Sequence, residues 1–119
     1  MRPERLYLID IVEAADSVHS FLKAVSETEF LSSEVLRSAV LQKLTVIGEA
    51  ASRLPSDFCD RYPEVPWRDI SDFRNIAVHA YFAIEWPIVW VAATEEAPML
   101  RAQVADILRR EFPESSGGA

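Results

Sequence analysis

Cysteine, histidine and glycine are all scarce in this chain of 119 residues. It contains one cysteine, Cys59, and two histidines, His19 and His79. A single thiol excludes an intrachain disulfide and, within one chain, a zinc site built on cysteines, so Cys59 is predicted to be an inert free thiol. Only three glycines occur, two of them in the terminal SSGGA. Long glycine-free stretches with little period-two alternation favour helices over strands.

Basic residues are also in the minority. The chain has 12 Lys and Arg against 19 Asp and Glu, for a net charge of −7. The charge disfavours non-specific coating of nucleic acid, because phosphate binding depends on clustered basic residues. Any nucleic-acid contact must be local and led by arginine, and a basic partner fits the charge equally well. No apolar run reaches the length of a membrane span, and MRPERLYLIDIVEAAD lacks a signal-peptide core, so we expect a cytoplasmic, reduced protein that does not enter a membrane.

The spacing of apolar residues predicts an all-α domain. Apolar residues recur at steps of three and four, which is typical of amphipathic helices. Five helices are predicted, at residues 3–26, 28–55, 67–82, 84–96 and 98–112, with a short helical turn and a loop over 56–67. Ser32 or Ser33 is expected to cap the second helix. The whole forms a single domain over residues 1–112, followed by a flexible tail at 113–119.

The segment FRNIAVHAYF, residues 73–82, places four polar side chains in an apolar helix. Asn75 and His79 are four residues apart and share a face, while Arg74 and Tyr81 lie on the neighbouring stripe. In the structural interpretation, His79 is a surface or hydrogen-bonded core residue, and Arg74 only pairs with a nearby aspartate, Asp69 or Asp72. In the chemical interpretation, the guanidinium grips a phosphate and the imidazole moves a proton, which suits phosphodiester cleavage without a metal. Spacing alone leaves both interpretations open.

The surrounding sequence is more specific than this spacing. From LTVIGEAASRLP through YPEVPWRDISDFRNIAVHAYFAIEWPIVW, the chain resembles the HepT family of toxins, within the HEPN group of helical domains. The shared signature is an Arg followed by Asn, then a His four to six residues after the Arg, and a Tyr two residues after the His. Two positions depart from the common pattern. Ala80 stands where glycine is frequent, and Glu85 stands where aspartate is frequent.

The resemblance implies a HEPN-type bundle of four to five up-and-down helices that forms a homodimer through helices. It also implies a metal-independent ribonuclease toxin that acts on RNA without a cofactor. By position in the motif, Arg74 and His79 would be catalytic, Asn75 would support the site, and Tyr81 would accept AMP from an antitoxin, a minimal nucleotidyltransferase of the MntA type. Two alternatives stay open: a non-catalytic HEPN protein that binds a nucleotide or presents substrate to the nucleotidyltransferase, and a purely structural helical dimer.

Residues outside this motif have structural and functional interpretations too. The tryptophans are expected to be core or dimer-interface anchors rather than platforms for stacking bases. Three arginines near the motif either contact RNA phosphates or form surface salt bridges. The acidic segment TEE at 94–96 is a candidate antitoxin interface. The tryptophans are Trp67, Trp86 and Trp90, and the arginines are Arg53, Arg61 and Arg68.

Overall fold

The computed structural model describes residues 2–75 and 85–113, and within these ranges every regular element is helical. The prediction of an all-α fold is confirmed, and the helices form a compact bundle. The elements, in chain order, are α1 (Glu4–Phe21), α2 (Glu27–Ser32), α3 (Glu34–Ser52), α4 (Ser56–Asp60), α5 (Trp67–Ser71), α6 (Trp86–Val91), a π-helical turn (Ala92–Glu96) and α7 (Ala97–Glu111).

The first helix is shorter than predicted. Its apolar stripe is buried as expected, but α1 ends at Phe21 rather than near residue 26. Ala24 adopts a left-handed conformation, with φ 61°, which a continuing helix cannot contain. Ser26 then starts α2 in a capping box, in which its hydroxyl accepts from the Glu29 N–H and its own N–H donates to the Glu29 carboxylate.

The predicted second helix is two helices that meet at Ser33. This residue has extended backbone angles, φ −110° and ψ 108°, so it ends α2 and begins α3. Its hydroxyl accepts a hydrogen bond from the Leu36 N–H at 3.1 Å, as predicted for an N-cap. The single helix over 28–55 was therefore wrong, while Ser33 as a cap is confirmed. At its far end α3 stops at Ser52, and Pro55 precedes the short helix α4.

The third predicted helix begins at Trp67 as expected, but a turn at Asp72 interrupts it before residues 73–75, which are helical again. The rest of that prediction, residues 76–82, lies outside the described residues. So does the predicted tail, apart from Pro113.

The fourth and fifth predicted helices are joined rather than separate. Residues 86–111 are helical throughout, with the π turn between α6 and α7. In this turn the Ala97 N–H donates to the Ala92 carbonyl, five residues back. Pro98 follows directly and has no N–H to continue an ordinary ladder. The wider turn therefore carries the chain past a proline that was predicted to start a new helix.

The core lies where α1 packs against α3 and α7, and α3 in turn packs against α5. The tryptophans contribute to this packing, as expected. Trp67 is buried and donates from its indole to the Tyr62 carbonyl at 3.0 Å. Trp86 and Trp90 are half-buried, with their rings against Phe30. The largest fully buried side chains are Leu8, Ile11, Val18, Phe30, Val40, Leu44, Ile47, Phe58, Val89, Val104 and Ile107.

Candidate functional site

Arg74 lies against the C-terminal half of α3. Its Nη1 donates to the Ser52 hydroxyl at 3.3 Å and lies 3.7 Å from Oε2 of Glu49. The side chain is 48% exposed, so the guanidinium is held on one side and open to solvent on the other. The structural interpretation predicted an ion pair between Arg74 and Asp69 or Asp72. Arg74 instead pairs with Glu49, which lies on α3.

Gly48 sets the distance between α3 and the backbone that carries Arg74. A Cβ built on Gly48 would lie 2.6 Å from the Arg74 backbone nitrogen and 3.1 Å from the carbonyl oxygens of Ile70 and Ser71. No other residue type leaves room for this approach, because all others carry a Cβ. Buried Ile70 and Phe73 anchor the same stretch in the core. Gly48 and the residues that follow it therefore position Arg74.

Glu49 joins two guanidinium groups on this surface. One carboxylate oxygen lies 3.2 Å from Nη2 of Arg53, one helical turn along α3, and the other faces Arg74. A single negative charge thus lies between two positive ones, and all three side chains are 45–60% exposed. An anion that displaced Glu49, or approached from the solvent side, would meet both cations.

Asn75 lies next to Arg74 on the exposed surface. Its Nδ2 donates to Oδ1 of Asp72 at 3.4 Å, and its backbone N–H donates to the Asp72 carbonyl at 2.8 Å. His79 and Tyr81, the other two predicted site residues, lie outside the described residues. The structure therefore shows the positions of Arg74 and Asn75 only. That all four side chains line one cleft stays a prediction.

A cleft of about 180 Å³ opens beside Glu49. Arg53 lines one side and Arg2 the other. Arg2 pairs with Asp10 at 2.8 Å and stacks over the Tyr7 ring, 4.9 Å from its centroid. The cleft is thus bordered by two cations, each already paired with a carboxylate.

The other two arginines near the motif differ from each other. Arg61 forms a salt bridge with Glu111 at 3.1 Å and covers the rings of Phe58 and Tyr62, which makes its role structural. Arg68 is exposed, and no ion pair involves it within the described part of the chain.

The described ranges contain neither a metal-binding cluster nor a membrane-spanning helix. Among residues 2–75 and 85–113, no group of three His, Cys, Asp or Glu side chains is arranged to hold a metal ion. In the same part of the chain, no helix combines the length and the apolar character needed to cross a bilayer. Cys59 is a free thiol, as predicted, and its partial burial raises its pKa, with the charges of Asp60 and Asp57 adding to the effect.

The roles of Gly48, Glu49 and Ser52 were not predicted from the sequence. One signal was available: Gly48 is the single glycine outside the C-terminal SSGGA, and it lies inside an amphipathic helix. An isolated glycine in such a helix indicates close approach by another part of the chain. Which part approaches is a long-range property that spacing does not encode.

The compact all-α bundle is consistent with a helical domain of the HEPN type. The family model described as Ribonuclease HepT-like matches residues 11–107, and the chain belongs to this family. Among curated proteins, it is 35% identical over 103 residues to "Putative RNase MJ1380" of Methanocaldococcus jannaschii, covering 87% of this chain and 94% of that protein.

Two other relatives extend this similarity to further organisms. The chain is 33% identical to "Putative RNase TTE0752" of Caldanaerobacter subterraneus, over 93% of this chain and 99% of the relative. It is also 33% identical to "Probable ribonuclease HepT" of Thermococcus cleftensis, over 86% and 93% of the two chains. No solved structure gives a significant match. The named relatives support a ribonuclease of the HEPN type.

Proposed function

We propose that this protein is a metal-independent endoribonuclease and the toxin of a toxin–antitoxin pair. Its substrate is RNA, and Arg74 and His79 are its catalytic residues, with Asn75 supporting them. Family membership supports the ribonuclease class. The observation that carries the proposal furthest is the state of Arg74: within the described residues both of its polar contacts use Nη1, while about half of the side chain is exposed. Nε and Nη2 can then meet a phosphate in the bidentate geometry that a guanidinium favours.

The proposed reaction is an intramolecular transesterification. The ribose 2′-oxygen attacks the adjacent phosphorus, the bond from phosphorus to the 5′-oxygen breaks, and the products are a cyclic phosphate and a 5′-hydroxyl end. His79 removes the proton from the 2′-hydroxyl or donates one to the leaving 5′-oxygen. Arg74 stabilises the negative charge that builds up on the phosphorane-like transition state.

A homodimer supplies the second proton-transfer group in this proposal. One imidazole cannot act as base and acid in the same step, so His79 of the second copy takes the opposite role. Asn75 orients the imidazole or a ribose hydroxyl from its position beside Arg74.

In this proposal, the antitoxin neutralises the ribonuclease by modifying Tyr81, the tyrosine of the same motif. An MntA-like nucleotidyltransferase antitoxin transfers AMP from ATP to the Tyr81 hydroxyl, and pyrophosphate leaves. The new phosphodiester places a phosphate and a base beside Arg74 and His79, so the modified side chain occupies the substrate position and repels an incoming RNA phosphate.

Cleavage of labelled RNA by the purified protein tests the proposal. We expect cleavage to persist in EDTA, to fall by about 10²–10⁴-fold in His79→Ala, and to fall by roughly tenfold or more in Arg74→Lys, since lysine keeps the charge but loses the bidentate fork. Matched controls are His19→Ala, an exposed histidine on α1, and Arg109→Lys, an exposed arginine on α7 that pairs with Asp106.

The same assay separates the competing functions. Cleavage that requires magnesium, or that survives His79→Ala, would refute the mechanism. A wild-type protein that cuts no RNA yet still accepts AMP would instead identify the non-catalytic HEPN partner of a nucleotidyltransferase.

A further inference from the structure

A second concave surface lies away from Arg74, between α5 and the start of α7. We call it the acidic groove, a cavity of about 240 Å³ between Asp69, Ile70 and Phe73 on one side and Glu95, Met99 and Gln103 on the other. Ile70 and Phe73 are buried core residues that form its apolar floor. The π turn places Glu95 on the far side.

The rim of the acidic groove carries uncompensated negative charge. Asp69, Glu95 and the adjacent Glu96 are all exposed, and no ion pair involves them within the described residues. Elsewhere in the chain, carboxylates such as Asp16 and Glu111 do have arginine partners. A cation from another molecule would therefore meet three carboxylates that are free of ion pairs to the described residues.

One exposed side chain beside the groove points to an occupant with apolar atoms. Met99 is 66% exposed, although it is a large apolar side chain next to buried Leu100, and methionine adapts its shape to many ligands. Gln103 lines the groove and donates its amide to the Glu64 carbonyl at 3.2 Å.

We propose that the acidic groove binds a short basic segment of a partner protein. An apolar side chain of that segment contacts Met99 and the floor, and flanking Lys or Arg side chains pair with the three rim carboxylates. RNA and anionic membrane surfaces are disfavoured, because the rim would repel their phosphates. The proposal goes beyond the ribonuclease function and does not depend on it.

Selection from a random-peptide library displayed on phage tests this proposal directly. The wild-type protein is the target, and the triple variant Asp69→Asn/Glu95→Gln/Glu96→Gln is used for counter-selection. The control variant Glu13→Gln/Glu27→Gln/Asp60→Asn removes the same amount of charge from exposed positions away from the groove. All six substitutions are at exposed residues, and thermal unfolding verifies that both variants fold.

We expect the selected peptides to be enriched in Lys or Arg next to Leu, Ile, Met or Phe. Synthetic copies should bind the groove variant roughly tenfold more weakly than wild type, as the loss of three exposed ion pairs implies, and the control variant within about twofold. Met99→Ser should also weaken them. Peptides without basic enrichment, or with equal affinity for both triple variants, would overturn the proposal. It would equally be overturned if the groove substitutions alone dissociated an oligomer in sedimentation, since the occupant would then be a second copy of this chain.

Discussion

Gly48 and Arg74 meet backbone to backbone. The position of a Cβ on Gly48 lies 2.6 Å from the Arg74 nitrogen, closer than side-chain atoms pack against backbone in folded proteins. Since the guanidinium of Arg74 is also fixed by Glu49 and Ser52, both ends of this arginine depend on one turn of α3. The position of the proposed catalytic cation is therefore a property of helix packing rather than of a loop.

Gly48→Ala is predicted to lower stability and to displace Arg74. Overpacking against backbone typically costs about 1–3 kcal/mol, while alanine regains up to about 1 kcal/mol of helix propensity, so a net loss of roughly 1 kcal/mol is expected. Thermal or urea unfolding measures it. The control is Ser38→Ala, an exposed position on the same helix, which gains propensity without a new contact. A Gly48→Ala protein as stable as Ser38→Ala would show that the two backbones are not packed this closely.

Glu49→Gln is predicted to change catalysis more than stability. Its ion pairs are largely exposed, so the free energy of unfolding should change by less than about 1 kcal/mol. Removing the carboxylate lets Arg74 and Arg53 attract an RNA phosphate more strongly, which should lower KM. It also releases the guanidinium from its fixed orientation, which should lower kcat. Each change should be up to about fivefold, as expected from interactions of this size.

Steady-state cleavage kinetics separate these two effects. Glu34→Gln is the control, because it removes the same charge from an exposed position in the first turn of α3, away from Arg74. If Glu49→Gln and Glu34→Gln had the same KM and kcat, Glu49 would not position Arg74.

The capping box at the start of α2 predicts a pH-dependent stability. The hydrogen bonds from the Ser26 backbone and side chain lower the pKa of Glu29 below its ordinary value of 4.5. A carboxyl group whose pKa is lowered by folding contributes stability above its unfolded pKa, and loses it as the pH falls through the folded value. The stability advantage of wild type over Glu29→Gln should therefore shrink as the pH falls below about 4.5.

Urea unfolding at a series of pH values from about 6 to 3 measures this difference. Glu27→Gln is the matched control, since Glu27 lies in the same first turn but has no side-chain hydrogen bond to Ser26 within the described residues. A difference between wild type and Glu29→Gln that stayed constant over this range would contradict the assignment.

Local patterns predicted the helices but not all of their ends. The apolar stripe of α1 and the capping serine of α3 follow from short-range rules, and both are observed. The end of α1 depends on the left-handed conformation of Ala24. A glycine at this position would have indicated a helix end, but an alanine does not. Pro98 was predicted to start a new helix, but it lies in a continuous, distorted one. A proline is compatible with both, so the sequence did not distinguish them.

In the candidate site, too, the short-range features were predicted and the long-range contacts were not. Arg74 and Asn75 were selected by the motif, and both are exposed in the structure. The supports of Arg74 on α3 lie more than twenty residues earlier in the chain, and the approach of Gly48 to Arg74 requires the packed fold. The roles of His79 and Tyr81 stay predictions, and they are tested by function rather than by packing.

Tyr81→Phe is predicted to separate toxicity from neutralisation. The substitution removes the hydroxyl that would accept AMP but keeps the aromatic ring, so RNA cleavage should remain within a few fold of wild type. Co-expression with an MntA-like nucleotidyltransferase should then increase the mass of the wild-type protein by one or more AMP units and suppress its cleavage activity. The Tyr81→Phe protein should gain no mass and stay active. Tyr7→Phe, at a buried tyrosine of α1, is the control and should be modified and silenced like wild type. Silencing of Tyr81→Phe without a mass increase would mean that the antitoxin acts by binding alone, and AMP transfer to this tyrosine would be refuted as the off-switch.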